Sequence, residues 1–261
     1  MKFKITVLGC GSSSGVPAIG NNWGKCDPKN PKNRRLRSSI LIETSNISLL
    51  IDATPDLRQQ LLNANLTNLD GVLITHCHAD HINGIDDFRF LNVIMDKDIQ
   101  LYATKQNIEE INKRFGYVFE KLAPQANGFY YKPCLIPNEI DGIFKIKNLE
   151  ILSFQQDHGF IESTGFRIDN FAYSSDVFDI SEQVFAQLQN LDLWIVDCLR
   201  FKPHKSHAHF EKVLTWIERL RPKRTVLTHM NYEVDYEHIN SLLPENCEAA
   251  YDGLTINLKA Y

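Results

Sequence analysis

A cluster of metal-binding residue types directly after a short apolar segment is the feature that most constrains this chain. Gly71–Thr75 is predicted to be a buried strand, and His76, His78, Asp80 and His81 follow it within six positions. Imidazole nitrogens and carboxylate oxygens are ligands that divalent zinc, manganese and iron take in proteins. In an extended segment His76 and His78 point the same way, whereas Asp80 and His81 fall on a turn and can face a second ion. The spacing predicts a metal centre at the end of a strand.

A strand followed by a candidate ligand occurs three more times along the chain. These strands and ligands are Leu149–Phe154 with His158, Phe171–Ser174 with Asp176, and Arg224–Leu227 with His229. A single histidine is more often a surface or structural residue, and a single aspartate is often a helix cap. Ligands in α/β sheets gather where strands end. The repetition therefore predicts that all seven side chains share one site.

The remaining pattern predicts an α/β fold in a single domain over residues 1–261. Strands dominate the first part, with a hairpin of Ser38–Glu43 and Ile47–Ile51, and strand and helix alternate in the last third. Helices are predicted over Asp56–Leu66, Lys105–Phe115, Ser181–Leu188, Phe210–Leu220 and Tyr236–Leu243. The aromatic stretch Gly116–Pro137 is predicted to be irregular: a lid, a subunit contact or a packed excursion.

Composition excludes several classes of protein. The chain has 28 Lys and Arg against 32 Asp and Glu, a net charge of −4 that argues against nonspecific coating of nucleic acid. A membrane helix needs about 20 mostly apolar residues, and the apolar runs here have the length of strands. The six cysteines are scattered, which predicts reduced thiols rather than disulfides. We expect a cytoplasmic protein that does not associate with membranes.

The motif resembles the His-x-His-x-Asp-His signature of the metallo-β-lactamase superfamily, whose fold is an αββα four-layer sandwich. Along the chain the motif is followed by a single His, then a single Asp and then a final His, which is also the order in the superfamily. The opening loop from Leu8 to Pro17 and the closing Tyr251-Asp252-Gly253 are more specifically similar to the PhnP-like phosphodiesterase branch, which is related to tRNase Z. A departure from that branch is the single Cys26 where it has several cysteines, so we predict no additional structural zinc.

The resemblance implies a role for each candidate ligand. Two divalent ions, Zn²⁺ or Mn²⁺ with iron possible, would be bound per chain. The first ion would take His76, His78 and His158, the second would take Asp80, His81 and His229, and Asp176 would bridge both. Asp52, Asp56 and Asp197 are the carboxylates expected to orient the imidazoles.

The implied activity is that of a metal-dependent hydrolase, most specifically a phosphodiesterase acting on small or cyclic phosphodiesters through a metal-bound hydroxide. Asp80 and Asp176 would hold the hydroxide in line. His207, which precedes the helix Phe210–Leu220, matches the histidine that related phosphodiesterases place beside the phosphate, where it would bind developing charge or protonate the leaving group.

Three alternatives stay open at this point. They are a tRNase Z-like nuclease, a thioester or lactone hydrolase of the same fold, and a PqqB-like non-catalytic protein. Gly116–Pro137 is neither long nor basic enough for a tRNA-binding arm, so nucleic acid is not the favoured substrate. The guanidinium groups of Arg34, Arg35, Arg37 and Arg200 suit phosphate, although for any one of them a solvated or ion-paired loop is the more common explanation. The aromatic residues expected at the surface are compatible with a homodimer.

Overall fold

Two mixed seven-stranded sheets pack face to face in the computed structural model, which describes residues 2–259. The first sheet has the order β14-β1-β2-β3-β4-β5-β6. Its strands are β1 (Lys2–Gly9), β2 (Ser39–Glu43), β3 (Ser48–Ile51), β4 (Gly71–Leu73), β5 (Ile99–Ala103), β6 (Leu135–Glu139) and β14 (Thr255–Lys259). The pairs from β14 to β3 are antiparallel, and those from β3 to β6 are parallel.

The second sheet has the order β13-β12-β11-β10-β9-β8-β7. Its strands are β7 (Ile143–Ile146), β8 (Leu149–Asp157), β9 (Glu162–Ile168), β10 (Phe171–Ser174), β11 (Leu193–Asp197), β12 (Arg224–Thr228) and β13 (Cys247–Ala249). Strands β7 to β10 are antiparallel and β10 to β13 are parallel. From β10 to β13 strands and helices alternate along the chain, which confirms the prediction for the last third of the sequence.

Helices cover the outer face of each sheet. They are α1 (Leu57–Asn63), α2 (Ala79–Ile82), α3 (Phe88–Met95), α4 (Lys105–Phe115), α5 (Glu182–Gln187), α6 (Phe210–Leu220) and α7 (Tyr236–Leu242). The hydrophobic core follows from the alternation of side chains along β2. Ile40 and Ile42 belong to the core between the sheets, whereas Leu41 packs with residues of α1, α3 and α4 on the outer side. The fold is the αββα sandwich of the metallo-β-lactamase class, as predicted.

Four elements differ from the sequence prediction. Helices α2 and α3 and strand β13 were not predicted, and the segment Gly116–Pro137, expected to be irregular throughout, ends in strand β6. Pro137 is accommodated because β6 is the edge strand of its sheet. The rest of the segment packs against the fold, since Tyr130 is buried and its carbonyl accepts a hydrogen bond from Arg89. Among residues 2–259, no helix is long and apolar enough to cross a membrane.

The ends of both sheets are tied together where the candidate ligands lie. The backbone N–H of Thr164 in β9 donates to the carbonyl of Thr75, just after β4, at 2.9 Å. On the other side Met230 N–H donates to the Cys10 carbonyl at 2.9 Å, linking the loops after β12 and β1. These backbone bonds fix the loops that carry His76 and His229 relative to each other.

Candidate metal centre

The seven predicted ligands lie in one cluster between the two sheets. Their potential ligand atoms form two groups, each with all its atoms within 4.8 Å of one another: His76, His78 and His158, and Asp80, His81, Asp176 and His229. His76 and His78 stand on the segment after β4, as the sequence predicted. Asp80 and His81, which were predicted to fall on a turn, belong to the short helix α2. His158, Asp176 and His229 follow β8, β10 and β12.

In the first group, hydrogen bonds fix which imidazole nitrogen carries a proton. The Thr75 hydroxyl donates to Asp52 at 2.8 Å, so it accepts from Nδ1 of His76 at 3.0 Å. The carbonyl of Ser206 can only accept, so Nδ1 of His158 donates to it at 2.6 Å. Burial also lowers the pKa of both imidazoles, which are therefore neutral at neutral pH. Each keeps a lone pair on Nε2.

These two lone pairs converge on the third imidazole. Nε2 of His76 lies 2.9 Å from Nδ1 of His78, and Nε2 of His158 lies 3.3 Å from the same atom. One N–H at Nδ1 of His78 can satisfy only one of the two acceptors. Three nitrogens that face a common point in this way are arranged for a cation.

Asp176 lies between the two groups. Its Oδ1 is 4.0 Å from Nε2 of His76 and 3.8 Å from Nε2 of His158, whereas its Oδ2 is 3.2 Å from Nε2 of His81 and from Nδ1 of His229. The Ser175 hydroxyl donates to the same Oδ2 at 2.5 Å. Asp176 therefore has one oxygen facing each group.

His81 is the most buried member of the second group, and Asp52 orients it. Nδ1 of His81 donates to Oδ2 of Asp52 at 2.7 Å. Its Nε2 is buried and makes no hydrogen bond within residues 2–259, although oxygens of Asp80 and Asp176 lie 3.3 and 3.2 Å away. Burial alone would lower the pKa of His81, but the surrounding carboxylates raise it well above its usual value. A metal cation would satisfy both this nitrogen and the surrounding negative charge.

The backbone at three of these aspartates and histidines is in the left-handed region. Asp52, Asp176 and His229 have φ angles of 66°, 54° and 58°. Residues other than glycine adopt such angles rarely and at a cost of about 1–3 kcal/mol each. The surrounding hydrogen bonds hold these side chains toward the cluster despite that cost.

His207 lies beside the cluster and is oriented by Asp197. Nδ1 of His207 donates to Oδ2 of Asp197 at 2.8 Å, and its ring stacks on that of His229 at 4.9 Å between centroids. Burial would lower the pKa of His207, but the Asp197 carboxylate raises it to about 9. The imidazole is therefore protonated at neutral pH, with Nε2 as the nitrogen left for a substrate. The potential ligand atoms of His207, His158 and Asp176 also lie within 4.8 Å of one another.

Several sequence expectations about neighbouring residues are resolved by their contacts. Asp52 orients a candidate ligand as expected, whereas Asp197 orients His207. The expectation for Asp56 was wrong, because Asp56 accepts hydrogen bonds from the backbone and the guanidinium of Arg37. Sequence reasoning missed the Ser206 carbonyl at His158 and the Ser38 hydroxyl, 3.2 Å from Nδ1 of His229. Nothing in the sequence marks either group, since every residue has a backbone carbonyl and Ser38 is one serine among many.

The four candidate phosphate-binding arginines make contacts elsewhere. Arg35 is 2% exposed and donates to the carbonyls of Asn231 and Val234, and it also lies 3.9 Å from the Cys26 sulfur. Arg200 donates to the carbonyls of Lys202 and Pro203. Arg37 pairs with Asp56, and Arg34 lies over the ring of Trp23. Loop stabilisation accounts for these four side chains.

The sandwich of two sheets and the His/Asp cluster at its edge define a protein of the metal-binding hydrolase fold class. The family model described as a β-lactamase superfamily domain matches residues 48–230. A solved structure of a diphosphatase from the PhnP family is 31% identical, with a TM-score of 0.90 over 99% of this chain and 98% of that chain. The chain belongs to the β-lactamase superfamily and, within it, to the PhnP family.

Two curated relatives carry other names. A protein named octanoyltransferase from Porphyromonas gingivalis (strain ATCC BAA-308 / W83) is 32% identical over 255 residues, which are 96% of this chain and 51% of that protein. The chain therefore spans about half the length of this relative. The anti-Pycsar protein Apyc1 from Paenibacillus xerothermodurans is 32% identical over 250 residues, 90% of each chain.

Proposed function

We propose that this protein is a dinuclear metal-dependent phosphodiesterase that acts on small or cyclic phosphodiesters. The observation that carries the proposal is the pair of His207 and Asp197 beside the ligand cluster. Hydrolysis of a phosphodiester releases an alkoxide, which leaves more readily when an acid protonates it. A histidine held protonated by a buried carboxylate, with one nitrogen directed away from that carboxylate, is suited to this role.

The proposed ligand sets are those that the cluster brings together. His76, His78 and His158 would hold one ion, Asp80, His81 and His229 the other, and Asp176 both. Divalent ions such as Zn²⁺ or Mn²⁺ supply Lewis acidity, which activates water at neutral pH and withdraws charge from phosphoryl oxygens. Asp80 and Asp176 orient the attacking water through their carboxylates. His207 transfers the proton on Nε2 to the departing oxygen.

The charges that line the cleft beside the cluster favour a small substrate rather than a nucleic acid strand. Seven carboxylate side chains and three basic side chains line it. Two of the basic ones, Lys113 and Arg114, pair with Glu110 in the same wall. A polyanion gains little from such a surface, because affinity for nucleic acid depends on basic groups that neutralise successive phosphates.

The test is hydrolysis of bis(p-nitrophenyl) phosphate and of a 2′,3′-cyclic nucleotide by protein whose metal content has been measured. The wild type is expected to cleave both with about two ions per chain. His207→Ala should lose activity on the cyclic nucleotide by about 10²-fold or more at unchanged metal content. His209→Ala is the matched control, because His209 lies two positions away at the start of α6 and belongs to neither ligand group.

Thioester hydrolysis is the second candidate function, and the relative named octanoyltransferase is the observation that favours it. Acyl transfer and phosphodiester hydrolysis share the need for an activated nucleophile but differ in the electrophile. An octanoyl thioester belongs in the same assay. Cleavage of that thioester without any cleavage of diesters would replace the phosphodiesterase proposal with the second candidate.

A further inference from the structure

A large cleft opens beside the candidate ligands His76 and His78. Its volume is about 1340 Å³, and residues of α4 and of the turn between β8 and β9 line it. Ligand pockets for small molecules commonly measure about 300–1,000 Å³. The cleft therefore has room for more of a substrate than the phosphate that the cluster would take. The side chains that line the cleft determine which additional group the substrate can carry.

The β8–β9 turn is a rigid part of the wall. His158 N–H donates to the Ile161 carbonyl at 2.9 Å, and Phe160 N–H donates to the His158 carbonyl at 3.1 Å. Gly159 N–H donates to the Asp157 carboxylate at 2.6 Å. Every backbone N–H from His158 to Phe160 is thus used inside the turn.

The turn is also fixed to the segment that carries His207. Gly159 has a φ of 80°, and a Cβ at this position would lie 2.6 Å from the Lys205 carbonyl and 2.9 Å from Cα of Ser206. Only glycine allows this close approach. His158 Nδ1 donates to the Ser206 carbonyl from the same turn. The turn therefore keeps a fixed position relative to both the ligand cluster and His207.

The tip of this turn carries an apolar side chain that is exposed to solvent. Phe160 is 86% exposed and lines the cleft, two positions after the candidate ligand His158. Single exposed apolar residues are ordinary on protein surfaces. Phe160 differs because its backbone is fixed, its ring borders the cleft, and the acidic side chains around it repel additional phosphates. A phenyl face in such a setting favours a neutral planar group.

We infer that Phe160 is a specificity-determining residue that stacks on a planar aromatic group, such as a nucleobase, attached to the substrate phosphate. The inference rests on the proposed phosphodiesterase function and narrows its substrate to a diester with one phosphate and an aromatic moiety. Stacking of a base on an aromatic side chain contributes about 1–3 kcal/mol, which corresponds to about a 5- to 150-fold change in affinity.

The test compares adenosine 5′-monophosphate with ribose 5-phosphate, two monoesters that differ by the base. Calorimetric binding to zinc-loaded protein serves as the readout, independent of turnover. Phe160→Ala should weaken binding of the nucleotide about 5- to 150-fold and leave ribose 5-phosphate unchanged, and Phe160→Trp should restore the nucleotide affinity. Phe129→Ala is the matched control, because Phe129 is 63% exposed but lies outside the cleft lining.

The outcomes separate this inference from the function on which it rests. Equal affinity of the wild type for the two monoesters would overturn the stacking role, even if diesters are hydrolysed. Equal weakening of both monoesters in Phe160→Ala would also overturn it, since the residue would then act through the fold. Failure of the wild type to cleave any diester would instead refute the phosphodiesterase proposal, whatever the calorimetry shows.

Discussion

Oδ2 of Asp52 accepts a hydrogen bond from Nδ1 of His81 at 2.7 Å, and both side chains are fully buried. The same carboxylate accepts hydrogen bonds from the N–H and the hydroxyl of Thr75, one position before His76. Asp52 therefore connects the orientation of His81 to the segment that carries the first candidate ligands. Such carboxylates behind metal-binding imidazoles set ring orientation and ligand basicity.

Replacement of Asp52 by asparagine is expected to weaken metal binding about 10- to 100-fold. The amide can still accept one hydrogen bond, but it removes the negative charge behind His81. Zinc affinity measured by competition with a chelator would show the change. Asp56→Asn is the control, because Asp56 lies four residues away and contacts Arg37. Equal zinc affinities of Asp52→Asn and the wild type would show that this carboxylate does not orient a ligand.

Replacement of Asp197 by asparagine tests the proton-donating role of His207. Without the carboxylate the pKa of His207 falls from about 9 toward its usual range, so less imidazolium is present at neutral pH. Turnover of a 2′,3′-cyclic nucleotide should fall by about 10²-fold or more. Hydrolysis of bis(p-nitrophenyl) phosphate should fall much less, because p-nitrophenolate leaves without protonation.

Asp192→Asn is the matched control for that variant, since Asp192 directly precedes β11, whereas Asp197 ends it, and Asp192 pairs with Lys223. It should leave both rates unchanged. If Asp197→Asn lowered both rates by the same factor, the effect would lie in the fold or the metal content and not in the leaving group.

Removal of metal is expected to lower thermal stability. The ligand atoms of Asp80, His81, Asp176 and His229 lie within 4.8 Å of one another only in the folded chain, so an ion that they bind stabilises that state. A ligand present at about 1,000 times its dissociation constant stabilises the folded state by about 4 kcal/mol. Scanning calorimetry before and after chelation should show a lower midpoint that added zinc or manganese restores. An identical midpoint in both states would contradict metal binding at this cluster.

The sequence predicted the fold class and the clustering of the candidate ligands, but not every element of the fold around them. Ligand types that follow apolar strands are a local signal, and the topology brings all four strand ends to one place. Helix α3 lacked such a signal, because its N-cap residue Asp87 makes no side-chain cap and three of its apolar residues are exposed. Strand β6 contains a proline, and only the order of the completed sheet shows that it is an edge strand.

The residues that orient the ligands were only partly predictable for the same reason. Asp52, Asp56 and Asp197 are alike in sequence, as each is an aspartate close to the end of an apolar segment. Their partners differ because they depend on long-range packing: His81 for Asp52, Arg37 for Asp56 and His207 for Asp197.

Asp252 should make the stability of the fold depend on pH. Its carboxylate accepts hydrogen bonds from the backbone N–H groups of Cys10 and Leu36 at 3.1 and 2.7 Å, joining the closing segment to the loops after β1 and before β2. Burial nevertheless raises its pKa from 3.8 to about 7. Between pH 4 and pH 7 the folded chain therefore holds a proton that the unfolded chain has released, so this group's contribution to stability falls as pH rises.

The measurement is the free energy of unfolding of the wild type and of Asp252→Asn in urea between pH 4.5 and pH 7.5. Asparagine does not titrate, so the difference between the two proteins isolates this carboxyl group from the histidine cluster, which titrates in both. The advantage of the wild type over the variant should shrink as pH rises, by up to about 1.4 kcal/mol per pH unit. A difference that stays constant or grows with pH would mean that the two backbone N–H groups outweigh burial and keep Asp252 ionised.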